Sequence, residues 1–453
     1  MLYLYCGLWL KVPELFWFCW NALGCSVVIL IIFDIRYRTK KKVDFGFEVF
    51  YYADKKEVVI LVGYIVARVS SFINKPLSMK FVIAPDKFKG SLSGFEFCEA
   101  VEEGLRMVSK DVEIIKKPLA DGGDGTIDVV KHYINGEKIF LEVNDPLFRK
   151  VKASYLYASE NKIAYIEMAE ASGLKLLKET ERNCMQTSTY GTGELIVDAI
   201  SKGAAEIILG IGGSATNDGG MGMAKALGYR FLDDEGEELE PIGANLEAVR
   251  AIDADKSHPK LRQLVFKVAS DVTNPFYGPQ GAAKIYAEQK GASQEEIEKL
   301  DKGLKNFAQL ILQKYGMDLQ ETAGSGAAGG IGGGAIVFLN AGLTSGINLI
   351  KELANFEEAI KGANWIITGE GQLDEQTLSG KTIDGVISAA QKYNIPVAAF
   401  CGSVNLSVEL QKEFGLAYVI SILRGISNLQ QAMDTSYDNL VNASYNFGNV
   451  VVV

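Results

Sequence analysis

Residues 211–220, IGGSATNDGG, combine glycines with small polar side chains in a way that suits a ligand-binding loop. The apolar run Glu206–Leu209 predicts a strand leading into this loop, and the helix-like segment MGMAKALG follows it. Glycine lets the backbone approach a ligand closely, while Ser214 and Asn217 offer a hydroxyl and an amide. The pattern predicts a site for a phosphorylated or polyhydroxylated ligand at a helix N-terminus. The alternative is a strand-to-helix connection whose polar residues cap the helix.

Two further segments, residues 323–346 and 368–382, are also dense in glycine. Neither contains the G-x-x-x-x-G-K-[ST] pattern of a P-loop. The segment AAGGIGG fits a dinucleotide-binding fingerprint loosely, but no β-rich run leads into it and no acidic residue ends a second strand. A dinucleotide-dependent enzyme that uses this loop therefore stays as an alternative.

Composition restricts the classes of function. The chain has 453 residues, 48% of them hydrophobic and 23% charged, which is typical of an α/β enzyme with room for two or three domains. A net charge of −10 argues against broad nucleic-acid binding. Two histidines cannot form a multi-histidine metal site, so a metal would be a hard cation held by carboxylates. Acid–base catalysis would fall to Asp, Glu or Lys.

Residues 1–78 differ in character from the rest of the chain. The stretch Leu15–Phe33 carries no charged side chain and is about long enough to cross a bilayer as a helix. The basic run Arg36–Lys42 follows, which would leave the remaining chain in the cytoplasm. The other interpretation is a misplaced start, with Met79 as the natural first residue, because Met79–Ala84 predicts a strand that opens a domain. We expect a cytoplasmic protein, with membrane contact only if residues 15–33 are a true anchor.

Beyond residue 78, predicted strands and helices alternate, which favours a parallel sheet. Between about residues 138 and 168 the pattern changes to consecutive strands, KIFLEV, KVKASYLY and KIAYIEMA. Alternation then returns with apolar strands, including Trp365–Thr368 and Val397–Cys401. A mixed or antiparallel sheet is therefore predicted within or after a doubly wound α/β domain.

Several blocks of this region occur in the order of a known family. They are DKFKGSLS, LADGGDGT, IEMAEASGL, TSTYGTGELI, IGGSATNDGGMGMAKALG, SDVTNPFYGPQGAA and TGEGQLDEQTLSGKT. Together they resemble the glycerate kinase family of bacterial glyoxylate and glucarate breakdown, and the resemblance does not extend into residues 1–78. It implies ATP-dependent phosphorylation of D-glycerate to 2-phosphoglycerate, with Mg²⁺ as cofactor. A non-catalytic, membrane-tethered binding protein of the same fold is a further alternative.

The resemblance also implies a two-domain α/β architecture with the active site in the cleft between the domains. We expect a flavodoxin-like or Rossmann-like parallel-sheet domain over residues 79–125 and 295–453. A second α/β domain with a mixed sheet is expected over residues 126–294. The resemblance places glycine where Phe148 stands in NDPLFRK, which leaves the turn around Arg149 open. Oligomeric state is not predicted.

The first two blocks supply cations and carboxylates that phosphoryl transfer needs. Lys87 and Lys89 would lie on one face of an extended segment, and we assign them to the substrate carboxylate or phosphate, with Lys87 as a catalytic residue. Asp86 is expected to contact substrate. Asp121 and Asp124 suit Mg²⁺ or the glycerate hydroxyls, and simple turn-forming aspartates are the alternative.

The central blocks supply the remaining substrate contacts. Asp218 is expected to be the group nearest the reacting hydroxyl, with helix capping as the alternative. Ser214 and Asn217 are expected to bind substrate. Asp271 and Asn274 are also assigned to the substrate, because they follow a predicted strand.

The glycine-dense segments are assigned to the nucleotide and the metal. Glu370 and Asp374 are expected to hold Mg²⁺, and Asp374 is also a candidate catalytic base. Lys381 could reach a phosphate. The glycines expected to bind ATP are Gly324, Gly326, Gly329, Gly330, Gly332 and Gly333.

Overall fold

A computed structural model describes residues 79–122, 125–375 and 382–452, together with the backbone of three strands between residues 18 and 50. The chain divides into two units, Met1–Leu77 and Ser78–Val453. Within the first unit, the described strands β1 (Phe18–Ala22), β2 (Cys25–Arg38) and β3 (Lys42–Phe50) form an antiparallel sheet in that order.

The anchor interpretation requires a helix within residues 15–33, and the structure differs from it. Wherever this stretch is described, it is strand. The segment CSVVILIIF is rich in β-branched side chains, which favour strands over helices. Among the described residues, no helix combines the length and the apolar character needed to cross a membrane.

The regular elements of the second unit are short strands and helices that mostly alternate. The strands are β4 Lys80–Ile83, β5 Glu113–Lys116, β6 Glu137–Asn144, β7 Lys150–Ala158, β8 Ile163–Glu167, β9 Glu206–Gly210, β10 Arg230–Leu232, β11 Ala251–Asp253, β12 Val265–Ala269, β13 Gly342–Thr344, β14 Trp365–Thr368, β15 Gln372–Leu373, β16 Val397–Cys401, β17 Ser403–Val404 and β18 Leu416–Ser421. The α-helices are α1 Gly94–Val108, α2 Thr126–Ile134, α3 Ala169–Ser172, α4 Tyr190–Ser201, α5 Met221–Ala226, α6 Ala282–Tyr286, α7 Gln294–Tyr315, α8 Ala327–Leu339, α9 Gly346–Leu353, α10 Phe356–Ala359, α11 Thr382–Lys392, α12 Val408–Glu413, α13 Leu429–Asp434 and α14 Ser436–Val451.

In the described part of the chain, β18, β16, β14, β4 and β5 form a parallel sheet in that order, here called the parallel sheet. Counted along the chain within this sheet, the order is 2-1-3-4-5, the flavodoxin-like arrangement. Phe81 and Ile83 pack with α1 and α14, whereas Val82 packs with α2, α9 and α11. Side chains alternate across a strand, so helices cover both faces. The expected doubly wound α/β class is confirmed.

A second set of described strands pairs in the order β13-β12-β9-β8-β7-β6, here called the mixed sheet. Strands β13, β12, β9 and β8 are parallel, and β8, β7 and β6 are antiparallel neighbours. The consecutive strands predicted for residues 138–168 supply this antiparallel half. The expectation of a mixed sheet is confirmed.

The chain after the expected boundary at residue 295 first packs beside elements of the mixed sheet. Strand β13 pairs with β12, and Leu300 and Phe307 of α7 pack with Phe338 of α8. Residues 295–344 therefore accompany the mixed sheet, and α9 begins the return to the parallel sheet. At the other boundary, Val129 of α2 belongs to a core cluster that contains side chains of both sheets.

The turn between β6 and β7 shows what replaces the expected glycine. Phe148 adopts φ of 60°, the left-handed region that glycine enters without steric penalty. Asp145 supports the turn by accepting hydrogen bonds from the backbone N–H groups of Leu147 and Arg149, at 2.8 and 2.9 Å. The Arg149 guanidinium pairs with Asp145 and Glu181. Arg149 is thus engaged in holding this turn.

Candidate active site

Asp86 follows β4, where the strand order of the parallel sheet reverses and open α/β sheets bind ligands. Its Oδ1 accepts a hydrogen bond from the Lys87 backbone N–H at 2.7 Å, and its Oδ2 accepts one from the Thr382 hydroxyl at 2.6 Å. Burial raises the pKa of Asp86, and the Asp121 charge adds to this, although the two hydrogen bonds oppose it. The carboxylate is therefore held firmly between β4 and α11.

The charge of Asp121 acts on Asp86 and also on a third carboxylate, Asp271. Asp121 is in the loop between β5 and α2, and Asp271 follows β12 of the mixed sheet. Loss of surrounding water raises the pKa of Asp271, and the Asp121 charge raises it further. The backbone N–H of Gly346 donates to Asp271 Oδ1 at 2.9 Å. We call Asp86, Asp121 and Asp271 the carboxylate cluster, and both sheets contribute to it.

Gly346 explains how the two sheets can meet at this point. A β-carbon at Gly346 would lie 2.3 Å from the Asp121 carbonyl oxygen, which is far inside contact distance. The absence of a side chain allows the first residue of α9 to touch the loop after β5 while its N–H binds Asp271. The small size of Gly346 therefore allows the loop after β5 to approach the strand end that carries Asp271.

The two lysines of the first block differ in environment. Lys87 is half-buried, and a β-carbon added at Gly125 would lie 3.6 Å from its Nζ, so the ammonium is beside the start of α2. Lys89 is exposed, and its backbone N would lie 3.7 Å from a β-carbon at Gly371. The loop after β4 therefore runs next to the loop after β14.

Glu370 and Asp374 lie in that second loop. Glu370 is half-buried, and Asp374 Oδ2 accepts a hydrogen bond from Gln372 Nε2 at 3.0 Å. Asp124 and Lys381 lie outside the described residues. Among the residues that are described, no group of three or more His, Cys, Asp or Glu side chains has the arrangement of a metal site. Mg²⁺ commonly needs only one or two protein carboxylates besides phosphate oxygens.

A cavity of about 470 Å³ adjoins the carboxylate cluster. It lies at the carboxyl ends of β9 and β12, and its walls include Gly122, Ser214, Asp271, Ala328 and Gly346. A β-carbon at Gly212, which also lines it, would meet no atom within 4 Å. The cavity thus exposes loop backbone and polar side chains at the strand ends, as expected of a ligand site in parallel sheets.

Asp218 is fully buried, in contrast to the neighbouring Ser214 that lines the cavity. Its carboxylate accepts hydrogen bonds from the Thr189 N–H and hydroxyl, both at 2.8 Å, and from the N–H groups of Gly220 and Gly222, both at 3.1 Å. Burial raises its pKa, and these hydrogen bonds oppose that shift. Its contacts are those of the helix-capping alternative, since they join the starts of α4 and α5.

Asn274 and Asn217, whose side-chain amides are also predicted to bind substrate, are hydrogen-bonded within the protein or buried. Asn274 accepts a hydrogen bond from the Tyr286 hydroxyl at 2.6 Å and donates one to the Gln280 carbonyl at 2.9 Å. Tyr286 lines the cavity, so Asn274 orients a wall residue. Asn217 is fully buried, and its side-chain oxygen and nitrogen have no hydrogen-bond partner among the described residues.

The glycine-dense segment at residues 324–334 packs tightly against protein. β-Carbons at Gly329, Gly326 and Gly332 would lie 2.0 Å from the Thr216 carbonyl oxygen, 2.1 Å from that of Pro275 and 2.4 Å from that of Gly324. At every glycine predicted to bind ATP, an added β-carbon would lie within about 3.0 Å of another protein atom: Gly324, Gly326, Gly329, Gly330, Gly332 and Gly333. Close packing of α8 therefore accounts for their small size, and their role toward ATP stays a prediction.

Lys290 is a candidate that the sequence analysis missed. It ends a short 3₁₀ helix, Glu288–Lys290, and lines the cavity although its exposed fraction is only 2%. Its Nζ donates hydrogen bonds to Ser214 Oγ at 2.7 Å and to the Thr216 carbonyl at 2.8 Å. No motif marks it, because its surroundings, AEQKGAS, are typical of a solvated helix end.

Comparison with known proteins covers the whole region that holds this site. The sequence profile described as the glycerate kinase family matches residues 81–452. The chain belongs to the glycerate kinase family. A glycerate kinase from Halalkalibacterium halodurans is 43% identical over 369 residues, which is 82% of this chain and 97% of that protein. A glycerate 2-kinase from Escherichia coli K12 is 41% identical over 375 residues, 83% of this chain and 98% of that protein.

A solved structure of the glycerate kinase family has the same fold. It is a provisionally assigned glycerate kinase 2 from Salmonella typhimurium LT2, with a TM-score of 0.74 and 39% sequence identity. The match covers 83% of this chain and 98% of that chain. The protein is accordingly a phosphotransferase of the glycerate kinase family, and its described cavity and carboxylate cluster lie inside the matched region.

Proposed function

We propose that this enzyme uses ATP and Mg²⁺ to phosphorylate the 2-hydroxyl of D-glycerate, in the cytoplasm. The observation that carries the proposal is the carboxylate cluster. Asp86, Asp121 and Asp271 come from both sheets, the Asp121 charge acts on the other two carboxylates, and Asp271 lines a ligand-sized cavity. Phosphoryl transfer needs carboxylates for the metal and the attacking hydroxyl, and cations for the phosphates. Buried, unpaired Cys98, Cys184 and Cys401 suit a reducing compartment.

The donor atoms of the cluster fit Mg²⁺, which prefers oxygen ligands of hard carboxylates. Asp86 and Asp121 are the residues that would hold the ion, since the charge of one raises the pKa of the other. When bound there, Mg²⁺ would neutralise negative charge on the phosphates. Glu370 and Asp374 form the second proposed pair, because their loop adjoins the loop of Lys87 and Lys89.

Asp271 is proposed to orient the attacking hydroxyl and to accept its proton. Its Oδ1 is anchored by the Gly346 N–H, whereas its Oδ2 accepts no hydrogen bond from the described residues. A raised pKa makes Asp271 a stronger base than an ordinary aspartate, and the residue lines the cavity. The Gly346 contact fixes the carboxylate in position before substrate arrives.

Lys87 is proposed to contact a phosphate. Its ammonium lies beside the start of α2, where the helix dipole also favours negative charge. Lys89 is exposed in the same loop and is proposed to contact substrate. Ser214 offers a hydroxyl at the cavity wall for a glycerate oxygen.

The test is direct product analysis with the full chain. The protein is incubated with ATP, Mg²⁺ and D-glycerate, and the phosphoglycerate isomer is identified by NMR. We expect glycerate-dependent ADP formation and 2-phosphoglycerate in equal amounts. Formation of 3-phosphoglycerate would contradict the proposed hydroxyl, and the absence of glycerate-dependent ADP would contradict the proposed reaction. Parallel incubation with NAD and D-glycerate is the control for dinucleotide-dependent chemistry.

A further inference from the structure

Lys290 is a buried cation whose charge no described carboxylate neutralises by an ion pair. Its two hydrogen bonds go to uncharged acceptors, Ser214 Oγ and the Thr216 carbonyl. An ammonium has three N–H donors, so one remains after these two bonds. Lysine is almost never fully buried without a charged partner, because removing the ammonium from water is unfavourable. The position of Lys290 in a cavity wall indicates where that partner would come from.

The described carboxylate whose charge acts on Lys290 does not serve as this partner. The charge of Asp218 acts on Lys290, but its carboxylate is already bonded to Thr189, Gly220 and Gly222. Burial lowers the pKa of Lys290 to about 8, and only the Cys184 and Asp218 charges oppose that shift. Burial disfavours the charged form of Lys290 when no ligand is bound, and an anion that binds in the cavity would stabilise this form.

The loop that Lys290 holds also presents donors to the cavity. Gly212, Gly213 and Ser214 all line it, and Gly213 adopts φ of 71°. The N–H groups of Gly212 and Gly213 donate to no acceptor among the described residues. Successive backbone N–H groups in such a turn form a concavity that binds anions.

We propose that Lys290, together with the backbone of Gly212–Ser214, forms an oxyanion subsite that binds either the carboxylate of glycerate or a phosphate of ATP. The choice of these two anions rests on the proposed function. The chemistry of the subsite is the same for both, since carboxylate and phosphate oxygens accept charge-assisted hydrogen bonds from ammonium and backbone N–H groups.

Ligand affinity in the absence of turnover tests this subsite. D-glycerate alone, ADP with Mg²⁺, and inorganic phosphate are titrated separately into the full chain, with thermal shift and calorimetry as readouts. We expect Lys290→Met to lower the affinity for either D-glycerate or ADP with Mg²⁺ by more than about tenfold, as loss of one charge-assisted contact implies. The affinity for the other of these two ligands should change by less than about twofold. Loss of D-glycerate binding identifies a carboxylate subsite. Loss of ADP and phosphate binding identifies a phosphate subsite.

Lys351→Met is the matched control. Lys351 is also buried, with an exposed fraction of 9%, and its Nζ donates to the Gly385 carbonyl at 3.0 Å. It is not among the described residues that line the cavity. Unchanged affinity for both ligands in Lys290→Met, or equal losses in Lys351→Met, would overturn the proposal. If Lys290→Met does not fold, Lys290→Gln keeps a donor for the Thr216 carbonyl while removing the charge.

The pH dependence of binding in the unaltered protein gives an independent test. Only the ammonium form binds an oxyanion strongly, so affinity should fall about tenfold from pH 7 to pH 9 as Lys290 loses its proton. Burial raises the pKa of Cys184 to about 11, so its thiol keeps its proton through most of this range. Burial also raises the pKa of Asp218, and the Lys290→Gln variant, which retains Asp218, separates its contribution from that of Lys290. Lys290→Gln should remove the dependence, and constant affinity in the unaltered protein would contradict the subsite.

These binding measurements are separate from the test of the reaction. Lys290-dependent binding of D-glycerate or phosphate by a protein that does not phosphorylate glycerate would retain the subsite and refute the proposed function. Phosphorylation of glycerate with unchanged ligand affinity in both Lys290 variants would retain the function and refute the subsite.

Discussion

Asp218 does not contact the cavity directly, but its carboxylate fixes the loop that carries cavity residues. It accepts four hydrogen bonds from Thr189, Gly220 and Gly222, and thereby fixes the starts of α4 and α5 relative to each other. Ser214 and Thr216 in the same loop hold Lys290. We therefore propose that Asp218 is a positioning residue rather than the group that contacts the hydroxyl.

Asp218→Asn should destabilise the fold. An asparagine has one acceptor oxygen, and its NH₂ group would face N–H donors, so we expect the free energy of unfolding to fall by about 2–4 kcal/mol. Urea denaturation followed by circular dichroism measures this. Asp233→Asn is the control, because Asp233 accepts backbone N–H groups of Glu235 and Glu237 nearer the surface and should lose less than about 1 kcal/mol. Unchanged stability with lost turnover in Asp218→Asn would support a catalytic role instead.

At the scale of elements, helix α8 packs onto the loop before α5 through glycines in left-handed conformation. Ala328, Gly329 and Gly330 have positive φ, which interrupts the helical geometry where α8 meets Thr216 and Gly219. The sequence pattern predicted a nucleotide loop for this segment, since repeated glycines usually indicate irregular backbone. Its helical packing depends on partners distant in the chain, and no local pattern contains that information.

Gly329→Ala tests this packing. The new methyl group would lie 2.0 Å from the Thr216 carbonyl oxygen, at a φ of 78°. We expect the free energy of unfolding to fall by about 3 kcal/mol, from steric overlap and backbone strain together. Gly342→Ala in β13 is the matched control, because its β-carbon meets nothing within 4 Å, and it should change stability by less than about 1 kcal/mol. Equal effects of both substitutions in urea denaturation would contradict the close contact.

At the scale of the whole molecule, the alternation of strands and helices was sufficient to predict a parallel sheet accompanied by a mixed sheet. The rule that ligands bind at strand ends also pointed to Asp271 and Asn274. Strand β13 pairs with β12 although the two are far apart in sequence, so no local pattern could place the boundary near residue 295. Lys290 was missed for the same reason, since its partners Ser214 and Thr216 lie on a different loop.

The central claim is that strand ends of both sheets form one phosphotransfer site. A double-mutant cycle on kcat/KM for D-glycerate tests it with Asp86→Asn from the parallel sheet and Asp271→Asn from the mixed sheet. Asp438→Asn, at an exposed position of α14, is the control. We expect each single variant to lose at least about 100-fold, as for positioned acid–base groups. The effects of substitutions at residues that act as a unit are not additive. The kcat/KM of the double variant should therefore be at most a few-fold lower than that of the less active single variant. Multiplicative losses, or near-normal turnover in either single variant, would contradict a shared site.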